Sequence, residues 1–169
     1  ERALLDREID MAVHSMKDVE TQRDASFAIA AMLPRADVRD RLIGASGIAD
    51  LSQGARVGTS SPRRAAQLLH MRYDLEIVPL RGNVATRLAK IAAGEAGATL
   101  LAAAGLDRLD MAETGHAIAT EDMLPAAAQG AVGIDILAER DELLELADNI
   151  NHAETFVCVM AERALLAGL

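Results

Sequence analysis

Apolar runs of strand length alternate with helical patterns along most of this chain. The runs of strand length are DMAVH from Asp10, SFAIAAML from Ser26, ARVGT from Ala55, LEIVPL from Leu75, ATLLAAA from Ala98 and AVGIDI from Ala131. Helical spacing lies between several of them, at Arg63 to Arg72, Val84 to Ala93 and Leu106 to Ala112. Strands separated by helices of about ten residues are typical of βαβ units. The pattern therefore predicts an α/β fold with a mainly parallel sheet.

The pattern changes after Ile136. The segments DELLELADNIN and HAETFVCVMAERALLAGL carry apolar residues at helical spacing, and no further strand pattern follows them. We therefore expect a helical tail that belongs to a different packing unit. The stretch from Pro34 to Gly54 is polar and glycine-rich, and we expect it to hold a crossing between two domains.

Composition and charge exclude several classes of partner. The chain has 169 residues, of which 51% are hydrophobic and 25% charged, and its formal net charge is -9. No apolar run reaches the roughly 18 residues that a membrane-spanning helix needs. The acidic balance argues against nucleic acid, as does the content of one Tyr, two Phe and no Trp. We therefore expect a soluble globular protein without a membrane or nucleic-acid partner.

Cysteine and histidine usage gives no sign of a disulfide framework or a metal site. The single cysteine, Cys158, excludes an internal disulfide and fits a cytoplasmic location. The four histidines have no ligand-like spacing, so no metal is expected. The chain begins at Glu1 rather than Met, and AERALLAGL stops within a helical pattern. We therefore expect the sequence to be a fragment of a longer protein.

The stretch GTSSPRR, from Gly58 to Arg64, predicts an anion site at the start of a helix. Pro62 suits the first helical position and Ser61 the N-cap. The preceding strand then delivers Thr59, Ser60 and Ser61 to the positive end of a helix whose first turn carries Arg63 and Arg64. Such a site suits a carboxylate or a phosphate. The alternative is a well-capped surface helix with solvated arginines.

The arrangement recurs after the next predicted strands. LEIVPL leads into Arg81, Gly82 and Asn83, and Arg87 lies one turn into the following helix. In AAAGLDRLDM, Arg108 is expected in the corresponding place at a third junction. Junctions of this kind share one edge of a parallel sheet, where open α/β sheets bind ligands. Since no nucleotide-binding glycine motif is present, we expect a ligand with several carboxylates or phosphates.

A different chemistry is indicated by AVHSMKDVE, from Ala12 to Glu20. A strand that ends in Ser15, Lys17 and Asp18 places an acid and a cation side by side. Asp18 held ionised by neighbouring cations would suit stabilisation of a developing cation or proton relay. The alternative is an ordinary salt-bridged loop.

Six motifs in order and spacing resemble the porphobilinogen deaminase (hydroxymethylbilane synthase) family. They are VHSMKDV, VGTSSPRRAAQL, LRGNVATRLAK, AAAGLDRL, LPAAAQGAVGI and NHAETFVCVMAERALL. The resemblance implies a transferase of tetrapyrrole (heme) biosynthesis that condenses four porphobilinogen units head to tail, with loss of ammonia, to give hydroxymethylbilane. It also implies two domains built like type 2 periplasmic binding proteins with the active site between them, and a third α+β domain. The resemblance further implies a dipyrromethane cofactor bound covalently to a cysteine of that third domain.

The resemblance also assigns roles to residues. Asp18 matches the catalytic aspartate, which assists loss of ammonia, stabilises the azafulvenium cation through the pyrrole N–H, and handles the proton released after carbon–carbon bond formation. Positions that match residues holding the carboxylates of cofactor and substrate are Ser15, Lys17, Thr59, Ser60, Ser61, Arg63, Arg64, Arg81, Arg87 and Arg108. Grouped with them are Gln129 and Gly130, on a return segment, and Arg163, near the cofactor loop.

Domain boundaries follow from the same resemblance. Residues 1–33 would be the C-terminal part of the first domain, 34–127 the second domain, 128–139 a return strand and 140–169 the helical start of the third domain. The family's N-terminal segment would precede Glu1, and the cofactor cysteine would lie beyond Leu169 rather than at Cys158. The fragment alone is therefore expected to lack the cofactor and to be inactive, and a monomer is expected.

The chain departs from the family pattern at three positions. Glu20 stands where proline is usual, Pro62 where leucine is common and Ala128 where glycine is usual, and the last change is expected to stiffen the crossing between domains. A second hypothesis is a non-catalytic module that binds carboxylates or other anions, like a solute-binding protein. The acid in VHSMKDV argues against it, because simple capture of carboxylates does not require Asp18.

Overall fold

The computed structural model describes all 169 residues and shows two compact units. Unit 1 comprises residues 1–36 and 126–169, and unit 2 comprises residues 37–125. Residues 140–169 pack within unit 1, and their expected place at the start of a third domain stays a prediction. No helix of either unit is both long enough and apolar enough to cross a bilayer.

The strands are β1 Ala12–Ser15, β2 Phe27–Met32, β3 Asp40–Ile43, β4 Arg56–Gly58, β5 Glu76–Val78, β6 Ala98–Ala102, β7 His116–Ala117 and β8 Val132–Leu137. The helices are α1 Arg2–Leu5, α2 Pro62–Met71, α3 Val84–Ala92, α4 Ala103–Asp107, α5 Asp141–Asp148 and α6 Ala153–Ala167. A short 3-10 helix, Met16–Asp18, follows β1 directly. Each of the six predicted strands and the helical tail are therefore present.

Unit 1 is built on an antiparallel sheet with the order β1-β8-β2. The prediction of a mainly parallel sheet is wrong here, because no helical crossover joins these strands in the same sheet. A core cluster joins Ile134 and Ile136 of β8 to Leu143 and Ala147 of α5. A second cluster contains Met16, Met32, Ala128, Ala131 and Val159, the last from α6. Both tail helices therefore bury part of their surface within unit 1.

Unit 2 is built on a mixed sheet with the order β5-β4-β6-β3-β7. Strand β4 pairs in parallel with β5 and β6, as predicted, whereas β3 pairs antiparallel with β6 and β7. The core is formed mainly by Leu42, Val57, Leu68, Leu75 and Leu100, all buried. The three parallel strands each lead into a helix at the same edge of the sheet, and this edge carries most of the predicted site residues.

Strand β3 lies within the stretch from Pro34 to Gly54 that was expected to be a crossing. Its burial alternates, with Asp40 and Leu42 facing inward. An aspartate at an inward position removes the apolar alternation that identifies a strand. The sequence pattern therefore did not predict β3, because one of the buried residues of this strand is charged.

Candidate functional site

The junction between β4 and α2 has the capping geometry that the sequence predicts. Pro62 is the first residue of α2, and the Ser61 side chain accepts a hydrogen bond from the amide of Arg64 at 3.4 Å. Thr59 is buried, and its Oγ1 accepts from the amide of Ser61 at 3.1 Å. Thr59 and Ser61 thus shape the turn, while the neighbouring Ser60 is exposed.

Two arginines of α2 share a single buried carboxylate. Arg64, 6% exposed, donates to both oxygens of Asp40, from Nη2 to Oδ1 at 2.7 Å and from Nε to Oδ2 at 3.2 Å. Arg63 donates from Nη2 to the same Oδ2 at 2.8 Å. The remaining Nη1 groups of Arg64 and Arg63 donate to the carbonyls of Leu100 and Leu124, at 3.1 and 2.5 Å. The guanidinium groups are therefore held in place from several sides.

This cluster keeps a net positive charge. Burial alone would raise the pKa of Asp40, but hydrogen bonds and charge from Arg64 and Arg63 lower it below the usual value of an aspartate. One ionised carboxylate then faces two guanidinium groups, so one positive charge is left uncompensated. The N-terminus of α2 adds to the positive potential at the same place. The combination favours an anionic ligand.

The second junction, between β5 and α3, adds another positive group. Asn83 caps α3, its Oδ1 accepting from the amide of Thr86 at 2.9 Å, as predicted from the sequence. Arg87 folds back and donates from Nε to the carbonyl of Gly82 at 2.8 Å. Burial lowers the pKa of Arg87, and the positive charge of Arg64 lowers it further. The two junctions are therefore close enough for their arginines to repel each other, and Arg81 is exposed beside them.

Gly82 meets a conformational need at this junction. Its φ is +124°, in a region that favours glycine, and an added Cβ would lie 2.8 Å from the Cβ of Thr86. A residue with a side chain is therefore excluded unless α3 moves. The glycine permits the tight entry into α3, and its carbonyl accepts the hydrogen bond from Arg87.

The third junction differs from the prediction. The apolar run was expected to continue as strand through Ala104, with a helix from Leu106, but β6 ends at Ala102 and α4 begins at Ala103. Alanine strongly favours a helix, so the alanines of this run extend α4 towards β6. Arg108 is consequently the C-cap of α4 rather than a residue near its start. The expectation that Arg108 lies near a helix start, like Arg63 and Arg87, is wrong. Its expected contact with a ligand carboxylate stays a prediction.

In unit 1, β1 leads directly into the 3-10 helix that carries Lys17 and Asp18. Met16, fully buried, anchors this helix in the core, while Ser15 and Asp18 are exposed and Lys17 is half-buried. Gly133 of β8 lies directly against Met16, and a Cβ there would contact its side chain 3.0 Å from Cγ. Glycine at position 133 therefore leaves room for the Met16 side chain, which anchors the 3-10 helix that carries Asp18.

Arg163 of α6 braces the segment that follows Asp18. It is 8% exposed, and its Nη1 and Nη2 donate to the carbonyls of Val19 at 2.9 Å and Glu20 at 2.5 Å. Burial lowers the pKa of Arg163, and the charge of Arg23 lowers it further. Arg163 therefore contacts the main chain of its own unit, and its expected contact with a ligand carboxylate stays a prediction.

Gln129 and Gly130 are buried where the chain re-enters unit 1. The carbonyl of Gln129 accepts from Nε of Arg35 at 3.0 Å, and the carbonyl of Gly130 accepts from the amide of Ala36 at 3.1 Å. The outgoing and returning segments are thus hydrogen-bonded to each other. Their expected contact with a ligand likewise stays a prediction.

Two acidic residues that hold arginines in place were not predicted from the sequence. Asp40 was not singled out, although an aspartate within DRLI in a chain rich in neighbouring arginines is a detectable signal. Glu162 pairs with Arg35 through both oxygens and accepts from the amide of Ala128 at 2.7 Å. Burial opposes ionisation of Glu162, but Arg35 and this amide lower its pKa.

No group of His, Cys, Asp and Glu side chains is arranged to hold a metal ion. Cys158 is exposed on α6.

Comparison with known proteins decides between the families that such a site would suit. Residues 1–145 match the family model described as porphobilinogen deaminase, dipyromethane cofactor binding domain. The chain belongs to the porphobilinogen deaminase family. A porphobilinogen deaminase from Sphingopyxis alaskensis is 61% identical over 166 residues, which cover 95% of this chain and 53% of that protein. A chloroplastic porphobilinogen deaminase from Oryza sativa subsp. japonica is 46% identical, over 99% of this chain and 48% of that protein. The chain thus spans about half the length of these relatives.

Solved structures share the fold at low identity. The second substrate-binding domain of an amino acid ABC transporter from Streptococcus pneumoniae has a TM-score of 0.55 at 15% identity, covering 99% of this chain and 70% of that one. A TRAP periplasmic solute-binding protein from Desulfovibrio salexigens has a TM-score of 0.51 at 11% identity, covering 96% and 60%. The predicted fold, that of type 2 periplasmic binding proteins, is therefore confirmed for this porphobilinogen deaminase family member.

Proposed function

We propose that this chain supplies the carboxylate-binding arginines and the catalytic aspartate of a porphobilinogen deaminase, which condenses four porphobilinogen units into hydroxymethylbilane. The observation that carries the proposal is the surplus of guanidinium charge at the strand–helix edge of unit 2. Porphobilinogen bears an acetate and a propionate group, so each condensation adds two carboxylates to the growing chain. Arginine forks match such groups in charge and in geometry.

Binding and chemistry fall to different residues in this proposal. Arg63, Arg64, Arg81 and Arg87, with the exposed hydroxyl of Ser60, hold carboxylates and fix the register of the pyrrole units. Asp18 acts on the reacting pyrrole: its carboxylate stabilises the cation that forms when ammonia leaves, by accepting a hydrogen bond from the pyrrole N–H. It then takes part in removal of the proton that is lost after the new carbon–carbon bond has formed.

The residues present suit the dipyrromethane cofactor named for this family. The cofactor consists of two porphobilinogen units and is therefore itself a polycarboxylate, which matches the uncompensated charge beside Asp40. We propose that the same arginines hold its acetate and propionate groups. When bound, it would supply a pyrrole carbon to which further units are joined. The proposal places no covalent attachment at Cys158.

The relatives favour this enzyme over the alternative of a non-catalytic anion-binding module. The matches at 46% and 61% identity are porphobilinogen deaminases, whereas the solute-binding proteins share the fold at 11% and 15% identity. Fold similarity at that level does not carry function. A cytoplasmic location and a monomeric state remain predictions under this proposal.

Binding is tested by calorimetric titration of the purified chain with porphobilinogen, comparing Arg87→Gln with wild type. We expect about tenfold weaker binding in the variant, because a charge-assisted hydrogen bond is lost. Arg56→Gln is the matched control: Arg56 is an exposed arginine of unit 2 at the start of β4 and pairs with Glu76 at 3.5 Å. Equal affinities in both variants and wild type would contradict the assignment.

Catalysis is tested in a full-length chimera in which this chain replaces the matching residues of the Sphingopyxis alaskensis relative. The chimera should form hydroxymethylbilane, and Asp18→Asn should reduce the rate by two orders of magnitude or more, on the scale of a lost acid–base and electrostatic group. Porphobilinogen affinity should change little. A chimera that binds porphobilinogen but makes bilane equally well with and without Asp18 would refute the catalytic assignment.

A further inference from the structure

One fully buried charged group outside the predicted set is Asp40 at the start of β3. Its side chain is fully buried, and it contacts Arg64 through both oxygens and Arg63 through Oδ2. A buried charge is tolerated only when it is paired and hydrogen-bonded. The partners here lie more than 20 residues further along the chain, on α2, so the contact forms only after β3 and α2 have packed on the same sheet.

The contacts of Asp40 constrain the arginines more than an exposed ion pair would. A free arginine side chain has many rotamers and loses this conformational entropy when it is fixed. Arg64 is held by Asp40 and by the carbonyl of Leu100, and Arg63 by Asp40 and by the carbonyl of Leu124. The entropy of both side chains is therefore lost on folding rather than on ligand binding.

We propose that Asp40 is a positioning residue: it orients Arg63 and Arg64 in advance for the carboxylates of the ligand. The inference rests on the proposed function, in which these arginines bind carboxylates. Asp40 itself does not touch the ligand, since its side chain is fully buried beneath the two guanidinium groups.

The positioning role and simple electrostatics predict opposite changes in anion affinity when the charge of Asp40 is removed. Removing a negative charge near an anion site should strengthen anion binding if charge alone decides affinity. If orientation decides it, the same change should weaken binding, because both guanidinium groups become mobile. Asp40→Asn separates the two cases, since asparagine keeps the shape of the side chain and removes its charge.

The experiment measures the dissociation constant of porphobilinogen for wild type and Asp40→Asn, with succinate as a second, simpler dicarboxylate probe. We expect binding of porphobilinogen to weaken about tenfold, equivalent to one lost charge-assisted hydrogen bond. The control is Asp107→Asn, which removes a different carboxylate of unit 2, one that is half-buried and pairs with Arg41 at 3.1 Å. The affinity of this control for porphobilinogen should fall no more than about twofold, because Arg41 does not belong to the group formed by Asp40, Arg63 and Arg64.

Each outcome bears on the proposal. Equal or tighter binding by folded Asp40→Asn overturns the positioning role while leaving the proposed function standing. Absence of binding by wild type overturns the proposed function instead. If circular dichroism shows that Asp40→Asn does not fold, Asp40→Glu decides: it keeps the charge but moves the carboxylate by one methylene, so weaker binding supports positioning and wild-type affinity overturns it.

Discussion

Gly58, the last residue of β4, is a position where one added methyl group should disturb the edge of unit 2 that carries Arg63, Arg64, Arg81 and Arg87, here called the arginine edge. A Cβ at Gly58 would lie 2.8 Å from Cδ2, 2.9 Å from Cβ and 3.2 Å from Cγ of Leu80. Leu80 is 1% exposed, and its Cβ cannot move without its backbone. Gly58→Ala must therefore displace the chain immediately before Arg81.

The size of the effect follows from two opposing contributions. Overpacking of a well-packed core costs about 1–3 kcal/mol. Since Gly58 has no positive φ, alanine there also recovers about 0.4–1 kcal/mol through the entropy of the unfolded chain. We therefore expect a net loss of about 1.3 kcal/mol in the free energy of unfolding of unit 2, from the midpoints of the two ranges. We also expect weaker porphobilinogen binding from the shift of Arg81.

The assay is urea unfolding followed by circular dichroism, with amide hydrogen exchange to assign the loss to β4, β5 and the residues between β5 and α3. Gly105→Ala is the matched control within unit 2. A Cβ at Gly105 would meet only Cγ2 of Val84, at 4.0 Å, and alanine in a helix interior should stabilise by about 0.5–1 kcal/mol. If Gly58→Ala were as stable as wild type and bound porphobilinogen equally well, the packing argument would be refuted.

Three further predictions concern charged side chains that are half-buried or buried. Glu162→Ala should destabilise unit 1 by about 1–3 kcal/mol, because Arg35 and the amide of Ala128 lose their acceptor; urea unfolding tests this, and an unchanged midpoint would contradict it. Arg163→Met, which keeps the length but not the donors, should raise amide exchange at residues 16–20, and unchanged exchange there would show that Arg163 does not brace this segment. Because the folded pKa of Asp40 is lowered, its contribution to stability is present above the ordinary aspartate pKa of about 3.9 and is lost as pH falls further. Wild type should therefore lose stability below about pH 4 more steeply than Asp40→Asn, and parallel pH profiles would refute this.

Local patterns in the sequence predicted much of the fold and the position of the arginine edge. The start of α2 was predicted from Ser61 and Pro62, and the start of α3 from Asn83. These predictions succeed because a cap and the helix it begins are only a few residues apart. The order of strands and helices likewise predicted that the junctions of β4 and β5 share one edge, which the parallel pairing of those strands bears out.

Other elements depended on contacts that no local pattern records. Strand β3 was missed because its inward-facing aspartate looks polar in sequence and becomes acceptable in a core only beside Arg63 and Arg64. The strands of unit 1 were expected to be parallel, but β8 returns from a distant part of the chain and pairs antiparallel with both β1 and β2. The start of α4 was misplaced because a run of alanines fits the end of a strand and the beginning of a helix equally well.

By itself, the sequence determined the α/β class, the helix caps, the presence of an arginine-rich edge suited to anions and the family of the chain. Only the tertiary structure decided how those arginines are held, that Arg108 lies at the far end of α4, and that Arg163 braces the main chain after Asp18. The physical reason is the distance along the chain over which each interaction acts. Capping and periodicity act within a few residues, whereas the pairing of a buried charge depends on which distant segments the packed core brings into contact.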